Sequence, residues 1–97
     1  MTTKQRAGLR AMANTIDPIL HVGKDGISDH LVQQASDALE ARELIKGTVL
    51  QNAPLTAREA CDILCERAQA EPVQVIGNRF VLYRKARKNS RIDLDML

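Results

Sequence analysis

The chain has 97 residues, of which 44% are apolar and 27% are charged, and its formal net charge is +2 at pH 7. This length and composition support one domain with a single modest core. They exclude a membrane-spanning helix, because no apolar run approaches the roughly 18 residues of a span. Residues 1–10 also lack the apolar centre of a signal peptide. We therefore expect a cytoplasmic protein whose two cysteines stay reduced.

The charges are unevenly distributed along the chain. Residues 1–24 carry a net charge of +3 and residues 79–91 a net charge of +6, whereas residues 25–78 carry −5. If the two basic ends lie near one another in the fold, the protein has one positive face.

The first predicted element is a helix that ends at Asp17-Pro18, because the residue before a proline avoids the helical region. Thr2 or Thr3 can cap it, and its buried stripe consists of four residues at helical spacing: Leu9, Met12, Ala13 and Ile16. Residues 18–22 follow as a short buried strand. Ser28 is the predicted N-cap of a second helix that ends near Glu43.

Residues 44–50 are predicted to form the second strand, since apolar and β-branched residues occupy both of its faces. Thr56-Ala-Arg-Glu59 is a capping box that opens a third helix. The runs Val73–Ile76 and Phe80–Tyr83 are then two strands that the two-residue turn Gly77-Asn78 joins.

This order predicts an α/β fold: an N-terminal helix followed by βαβαββ, with a mixed four-stranded sheet packed with helices. The first two strands flank a helix and should pair in parallel through a right-handed crossover, whereas the last two form an antiparallel hairpin. We predict one domain over residues 1–86. Residues 87–97 lack apolar periodicity and are predicted to form a flexible basic tail.

The stretch Gly23-Lys-Asp-Gly26 stands between the first strand and the second helix. Glycine permits positive φ and close approach of another backbone, and a helix N-terminus favours an anion. With the charge of Lys24 added, the loop is suited to holding a phosphate. The other interpretation is a tight turn with a solvated lysine. The spacing alone fits both, and it is too short for a P-loop.

Two further basic groups are candidates for contacting an anionic polymer. The tract Arg84-Lys-Ala-Arg-Lys88 leaves the last strand, and such clusters bind phosphate backbones through counterion release. A solubilising tail is the alternative. Arg6 and Arg10 are four residues apart and share a face of the first helix, where an ordinary solvated pair is the alternative.

The chain offers little for base stacking or catalysis. At least one of its two aromatic residues, Phe80 and Tyr83, should be in the core, so binding would depend on phosphates and shape more than on stacking. Cys61 and Cys65 have helical spacing beside apolar residues, which favours two buried thiols over a zinc pair. No nucleophile with a nearby base and no paired carboxylates are evident. We expect no enzymatic activity, no metal site and no cofactor.

Three separated stretches resemble one known family. They are TKQRAGLRAMANTIDPILHVGKDGI near the N-terminus, ALEARELIK in the middle and VQVIGNRFVLYR near the end. In this order they resemble the YhbY family of small bacterial proteins, which are stand-alone CRM domains, over about residues 3–84. The resemblance implies a fold similar to the C-terminal domain of bacterial translation initiation factor three.

The resemblance also implies RNA binding during assembly of the large ribosomal subunit. The family's G-x-x-G loop falls on Gly23, Lys24, Asp25 and Gly26. We expect this loop to contact the RNA backbone together with seven flanking basic residues: Lys4, Arg6, Arg10, Arg84, Lys85, Arg87 and Lys88. The expected partner is large-subunit ribosomal RNA in precursor particles, bound by a monomer, with no DNA or membrane partner. The alternatives are another structured RNA, or a basic protein that meets the acidic middle helices.

Overall fold

The structure, a computed structural model, describes all 97 residues of the chain. Three helices, four strands and a short 3-10 helix follow one another along it. Their bounds are α1 (Thr3–Ala13), β1 (Leu20–Val22), α2 (Asp29–Arg42), β2 (Leu44–Val49), α3 (Ala57–Ala68), β3 (Glu71–Ile76), β4 (Arg79–Tyr83) and the 3-10 helix (Leu94–Met96). None of the helices has both the length and the apolar character needed to cross a bilayer.

Each α-helix begins at a hydroxyl cap. Thr2, Ser28 and Thr56 each accept the backbone N–H three residues further on, at 3.1 to 3.2 Å. The Glu59 carboxylate accepts the Thr56 N–H at 2.9 Å and completes the predicted capping box, and Gln5 does the same for Thr2. Such caps contribute about 1 kcal/mol each, so local sequence determines where all three helices start.

The four strands form one mixed sheet in the order β1-β2-β4-β3. β1 and β2 are parallel, and β4 is antiparallel to both of its neighbours. This arrangement confirms the predicted α/β fold, the crossover pair and the hairpin, in which Ile76 and Arg79 face each other across Gly77-Asn78. The sheet order adds that the last strand lies between β2 and β3.

The two faces of the sheet carry separate cores. On one face α2 and α3 pack against a cluster that includes Leu20, Ile45 and Phe80. On the other face α1 packs against a smaller cluster that includes Leu44 and Tyr83. Because side chains alternate along a strand, Phe80 and Tyr83 point to opposite faces, and both are buried. Both aromatic rings therefore belong to the core, in agreement with the prediction for at least one of them.

The predicted end of the first helix is wrong. α1 ends at Ala13 rather than at Asp17, with Asn14 as its C-cap. The Thr15 hydroxyl donates to the Met12 carbonyl at 3.0 Å. A short polar side chain of this kind forms local bonds that compete with helix continuation. Together with the Asn14 backbone N–H, which donates to the Ala11 carbonyl, it turns the chain before the proline is reached.

Two strands begin two residues away from the predicted start, in both cases near a proline, whereas β2 and β4 differ from the prediction by one residue at one end. β1 begins at Leu20 rather than at residue 18. β3 begins at Glu71 and therefore includes Pro72, with an irregular pairing to β4 between Pro72 and Gln74. A proline is tolerated there because β3 is an edge strand, where a missing N–H need not break the ladder.

Gly47 lies in β2 directly opposite Phe80 of β4. A Cβ atom at position 47 would lie 2.2 Å from the Phe80 Cζ atom and 2.6 Å from its Cε2 atom. The ring therefore covers the glycine backbone, and a larger residue would overlap it. This close approach determines where the largest fully buried side chain sits in the core.

The carboxylate of Glu43, which is fully buried, holds the C-terminal segment against the domain. It accepts hydrogen bonds from three backbone N–H groups and one hydroxyl: those of Ala86, Arg91, Ile92 and Ser90. Three apolar side chains of the same segment pack against the α1 cluster: Ile92, Leu94 and Leu97. The flexibility predicted for residues 87–97 stays a prediction, and these contacts tie the middle of that segment to the end of α2.

The two thiols lie on α3. Cys61 is fully buried in the larger core, and Cys65 packs against the same core while remaining partly exposed. The prediction of a buried thiol is therefore confirmed for Cys61, whereas Cys65 lies at the margin of the core and is not fully buried.

Candidate functional site

The four residues from Gly23 to Gly26 form a tight turn between β1 and α2. The Gly26 N–H donates to the Gly23 carbonyl oxygen at 3.0 Å, so Lys24 and Asp25 occupy the tip. Gly26 has a φ of +65°, which a β-branched residue adopts only with strain. The backbone therefore requires the second glycine of the pair.

The turn is held in place from both sides. The Leu50 N–H donates to the Val22 carbonyl at 2.8 Å where β1 ends, and the Leu31 N–H donates to the Ser28 hydroxyl at 3.1 Å where α2 begins. The first N–H groups of a helix lack partners within it and carry the positive end of its dipole. Lys24 is thus presented beside a helix N-terminus, an arrangement that favours an anion.

An open hollow of about 500 Å³ surrounds this turn. Its other polar lining residues were not predicted from the sequence to belong to the site: His21, Ser28, His30, Gln34 and Asn52. The sequence does contain signals for two of these positions. Strand alternation places His21 on the face opposite its apolar neighbours, and helical spacing places Gln34 one turn after His30. No local signal brings Asn52 to the turn, because it belongs to the connection between β2 and α3.

The charges at the turn are not paired within the protein. Lys24 and Asp25 are exposed, and neither lies within 4.0 Å of an oppositely charged group. Asp29, at the start of α2, instead forms an ion pair with Arg67 of α3. The lysine at the tip is therefore free to meet an anionic ligand, and Asp25 is the acidic group of the turn that opposes one.

Arg6 and Arg10 of α1 meet Arg58 of α3 at the outer edge of β3. Their side chains line a second open hollow of about 470 Å³, and the Arg6 Nε atom donates to the Pro72 carbonyl at 3.4 Å. Arg6 and Arg10 were predicted from the sequence to contact RNA, whereas Arg58 was not, because it belongs to a helix on the other side of the sheet. Lys4 lies exposed in the first turn of α1, outside this hollow.

Arg84 does not face an open surface. Its guanidinium group donates to the Ala68 carbonyl at 2.8 Å and to the Ser36 carbonyl at 2.9 Å, and it lies 3.9 Å from the Glu40 carboxylate. Only 19% of its side chain is exposed. Arg84 therefore joins α2 to the end of α3. Its contact with RNA stays a prediction, and one that these bonds oppose.

The rest of the basic tract lies at the far end of the sheet from the Gly23–Gly26 turn. Three of its side chains are exposed: Lys85, Arg87 and Lys88. The tract follows Tyr83, which pairs with Leu44 at the start of β2, whereas the turn adjoins the end of β2. At about 3.3 Å per residue, these two ends of the sheet are about 17 Å apart. The structure therefore does not bring the turn and the tract together.

Comparison with known sequences identifies a family. The sequence model of the CRS1/YhbY (CRM) domain matches residues 1–84. The chain is 42% identical over 94 residues to the "Probable RNA-binding protein YqeI" of Bacillus subtilis, covering 97% of this chain and 98% of that protein. It is 30% identical over 84 residues to a Haemophilus influenzae protein named "RNA-binding protein", covering 87% of this chain and 85% of that protein.

A solved structure has the same fold. The solution structure of SAV1595 from Staphylococcus aureus, a hypothetical protein and candidate RNA-binding protein, matches with a TM-score of 0.79 at 44% identity. The match covers 96% of this chain and 97% of that one. Sequence, length and fold therefore agree with the resemblance carried by the three motifs. The chain belongs to the CRS1/YhbY family, and the CRM domain covers its residues 1–84.

Proposed function

We propose that this protein is a non-enzymatic RNA-binding protein that associates with precursors of the large ribosomal subunit, as a cytoplasmic monomer. In this proposal the Gly23–Gly26 turn contacts the RNA backbone. The observation that carries it is the unpaired Lys24 at the tip of a glycine turn beside the start of α2. The names of the relatives from B. subtilis and H. influenzae support RNA as the ligand. The ribosomal assignment rests on the family resemblance.

The proposed mode of binding follows from the burial of the phenylalanine and tyrosine rings. Phe80 and Tyr83 are both buried and cannot stack on a base, which leaves only the two exposed imidazole rings at the turn, those of His21 and His30. Phosphate contacts and RNA shape must then supply the affinity. Because phosphate contacts carry little sequence information, we expect RNAs of different sequence but similar shape to bind with similar affinity.

Replacing Lys24 by alanine is expected to weaken binding to RNAs of different sequence by similar factors. The slope of log affinity against log salt should become shallower by about 0.7 to 0.9, because one phosphate fewer is neutralised. The converse change, Asp25→Lys, should tighten binding, since a cation replaces the acidic group of the turn. Fluorescence anisotropy with labelled RNA stem-loops over a salt series measures both effects.

The Gly26→Val variant separates the shape of the turn from its charge. A φ of +65° strains a β-branched residue, and the added Cβ atom would lie 3.5 Å from the Pro54 Cγ atom. We expect weaker binding without any change in net charge, with circular dichroism as the check on folding. If Lys24→Ala and Asp25→Lys both leave the affinity and the salt slope unchanged in folded protein, the Gly23–Gly26 stretch is only a turn.

A second candidate function is the binding of a basic protein by the two helices on the other face of the sheet. α2 and α3 carry six carboxylates against three arginines, which suits a positively charged partner.

Crosslinking in cells followed by sequencing of the attached RNA separates the candidates. Reads concentrated in large-subunit precursor RNA would support the proposal, and reads spread over messenger or transfer RNA would remove its ribosomal part. Binding to assembled particles without any affinity for naked RNA would favour the protein partner.

A further inference from the structure

One part of the sheet face that carries α1 has no helix over it. α1 packs near the start of β2, where Leu9 and Ala13 meet Leu44 and Tyr83. Towards the end of β2, four cross-strand partners form one row that spans the sheet: His21, Thr48, Arg79 and Ile76. We call these four residues the open row.

Side-chain alternation places the open row on the same side of the sheet as α1. Val81 and Tyr83 belong to the α1 cluster, so Arg79, two residues earlier on β4, points the same way. Its partners across the sheet share that orientation. His21 and Arg79 are exposed, and 64% of the Ile76 surface is accessible. The row is therefore an open surface and not a buried layer.

The charged side chains in and next to the open row are positive. The acids of this face lie at the other end of the sheet, where Glu71 pairs with Tyr83 and where Asp93 and Asp95 line a hollow beside Tyr83. Lys46 of β2 lies next to the open row on the same face, two residues before Thr48. Neither Lys46 nor Arg79 lies within 4.0 Å of a carboxylate. α1, which shares this face, contains three cations and no acid. The opposite face is covered by α2 and α3, whose carboxylates outnumber their arginines six to three. An anionic polymer is thus attracted to the side that carries the open row.

The open row connects the hollow around the Gly23–Gly26 turn with the hollow that contains Arg6, Arg10 and Arg58. His21, at one end of the row, lines the hollow around the Gly23–Gly26 turn. At the other edge of the sheet, Gln74 pairs with Val81 in the adjacent row and lines the hollow that contains the α1 arginines. Because the four strands are about 4.8 Å apart, the row is about 14 Å long from β1 to β3. The two hollows are therefore the ends of one continuous surface.

We propose that the open row and Lys46 form a second RNA-contacting surface, over which a single RNA backbone continues from the Gly23–Gly26 turn to the arginine hollow at β3. This inference rests on the proposed function. Arg79 and Lys46 contact phosphate groups, and the exposed Ile76, beyond Arg79 on the edge strand β3, packs against the adjoining sugar surface. The surface adds affinity and fixes the direction in which the RNA leaves the turn, while it reads no base.

The test compares Arg79→Gln with Arg42→Gln in the full chain. Both changes remove one exposed arginine that has no ion pair, but Arg42 lies at the end of α2, in a separate hollow with Met12 and Leu44 at the start of β2, away from the open row. With a labelled RNA stem-loop at low salt, we expect Arg79→Gln to weaken binding about fivefold to tenfold and to make the salt slope shallower by about 0.7 to 0.9. Arg42→Gln should change neither quantity by as much. Lys46→Gln is the second variant, and circular dichroism with urea unfolding checks that all three proteins fold.

Equal binding by the Arg79→Gln, Lys46→Gln and Arg42→Gln proteins would overturn the inference. If Lys24→Ala still weakened binding in that experiment, the proposed function would stand without the second surface. A wild-type protein with no salt-dependent affinity for the stem-loop would instead remove the proposed function itself. The last part of the experiment titrates wild type and Arg79→Gln with polyglutamate instead of RNA. A loss for Arg79→Gln as large on polyglutamate as on RNA would overturn the assignment of this surface to RNA.

Discussion

Replacing Glu43 by alanine is expected to lower the free energy of unfolding by about 3 kcal/mol and to release residues 86–97 from the domain. The buried carboxylate accepts four hydrogen bonds from that segment, and a hydrogen bond to a charged group contributes about 1.5 to 3 kcal/mol. Part of this is offset, because released N–H groups bind water. Urea unfolding measures the loss of stability, and hydrogen exchange of the Arg91 and Ile92 amides measures the release.

Glu40 supplies the matched control for this prediction. Its carboxylate accepts the N–H groups of Arg87 and Lys88 at 3.0 to 3.3 Å, but 38% of its side chain is exposed. We expect a much smaller loss of stability for Glu40→Ala, because water replaces those bonds. Unchanged amide protection in Glu43→Ala would show that apolar packing alone holds the segment, and the role of the carboxylate would have to be abandoned.

The same group makes the stability depend on pH. Burial raises the pKa of Glu43, but the hydrogen bonds that the carboxylate accepts from three backbone N–H groups and from Ser90 lower it further, from 4.5 to about 2. Because the pKa is lower in the folded state, the stabilisation is present above pH 4.5 and is lost as the pH falls towards about 2. The difference in unfolding free energy between wild type and Glu43→Gln should shrink over that window. A difference that stays constant down to pH 2 would contradict this assignment.

The Gly47→Ala variant is expected to lose about 3 kcal/mol of stability, at the upper end of what overpacking costs. The added Cβ atom would lie within 2.9 Å of three ring carbons of Phe80. The ring cannot turn away into solvent, because Phe80 is fully buried between the sheet and its helices. The strands β2 and β4 must then separate, or the core must rearrange around the ring. Urea unfolding followed by circular dichroism measures the loss.

Two further variants identify the cause of that loss. Gly23→Ala introduces the same atom with its nearest contact 3.8 Å away, at Leu50, so its stability should stay within about 0.5 kcal/mol of wild type. In the double variant Gly47→Ala with Phe80→Leu, a smaller side chain makes room for the methyl group. The combined loss should therefore be at least about 1 kcal/mol less than the sum of the single losses. Additive losses would show that the Phe80 ring is not the obstacle.

The sequence by itself determined the features that depend on near neighbours. The capping residues Thr2, Ser28 and Thr56 start their helices because each hydroxyl reaches an N–H three residues away. The glycine turns at Gly23–Gly26 and Gly77-Asn78 form where predicted, because their geometry is decided within four residues. Element types and the parallel and antiparallel pairings followed from these signals. The end of α1 was predicted wrongly because Asn14 and Thr15 form local bonds before the proline takes effect.

Only the tertiary structure decided which of these local features meet. The insertion of β4 between β2 and β3 is what places Arg79 in one row with His21, 58 positions away in the sequence. The same packing covers most of Arg84 between two helices and leaves Lys24 free, although the sequence predicted both residues to contact RNA. A buried carboxylate at Glu43 was equally unforeseen, because its four partners lie more than 40 residues further along the chain. Such contacts depend on strand order and on which faces pack together, and these are properties of the whole chain, whereas caps and turns need only a few neighbouring residues.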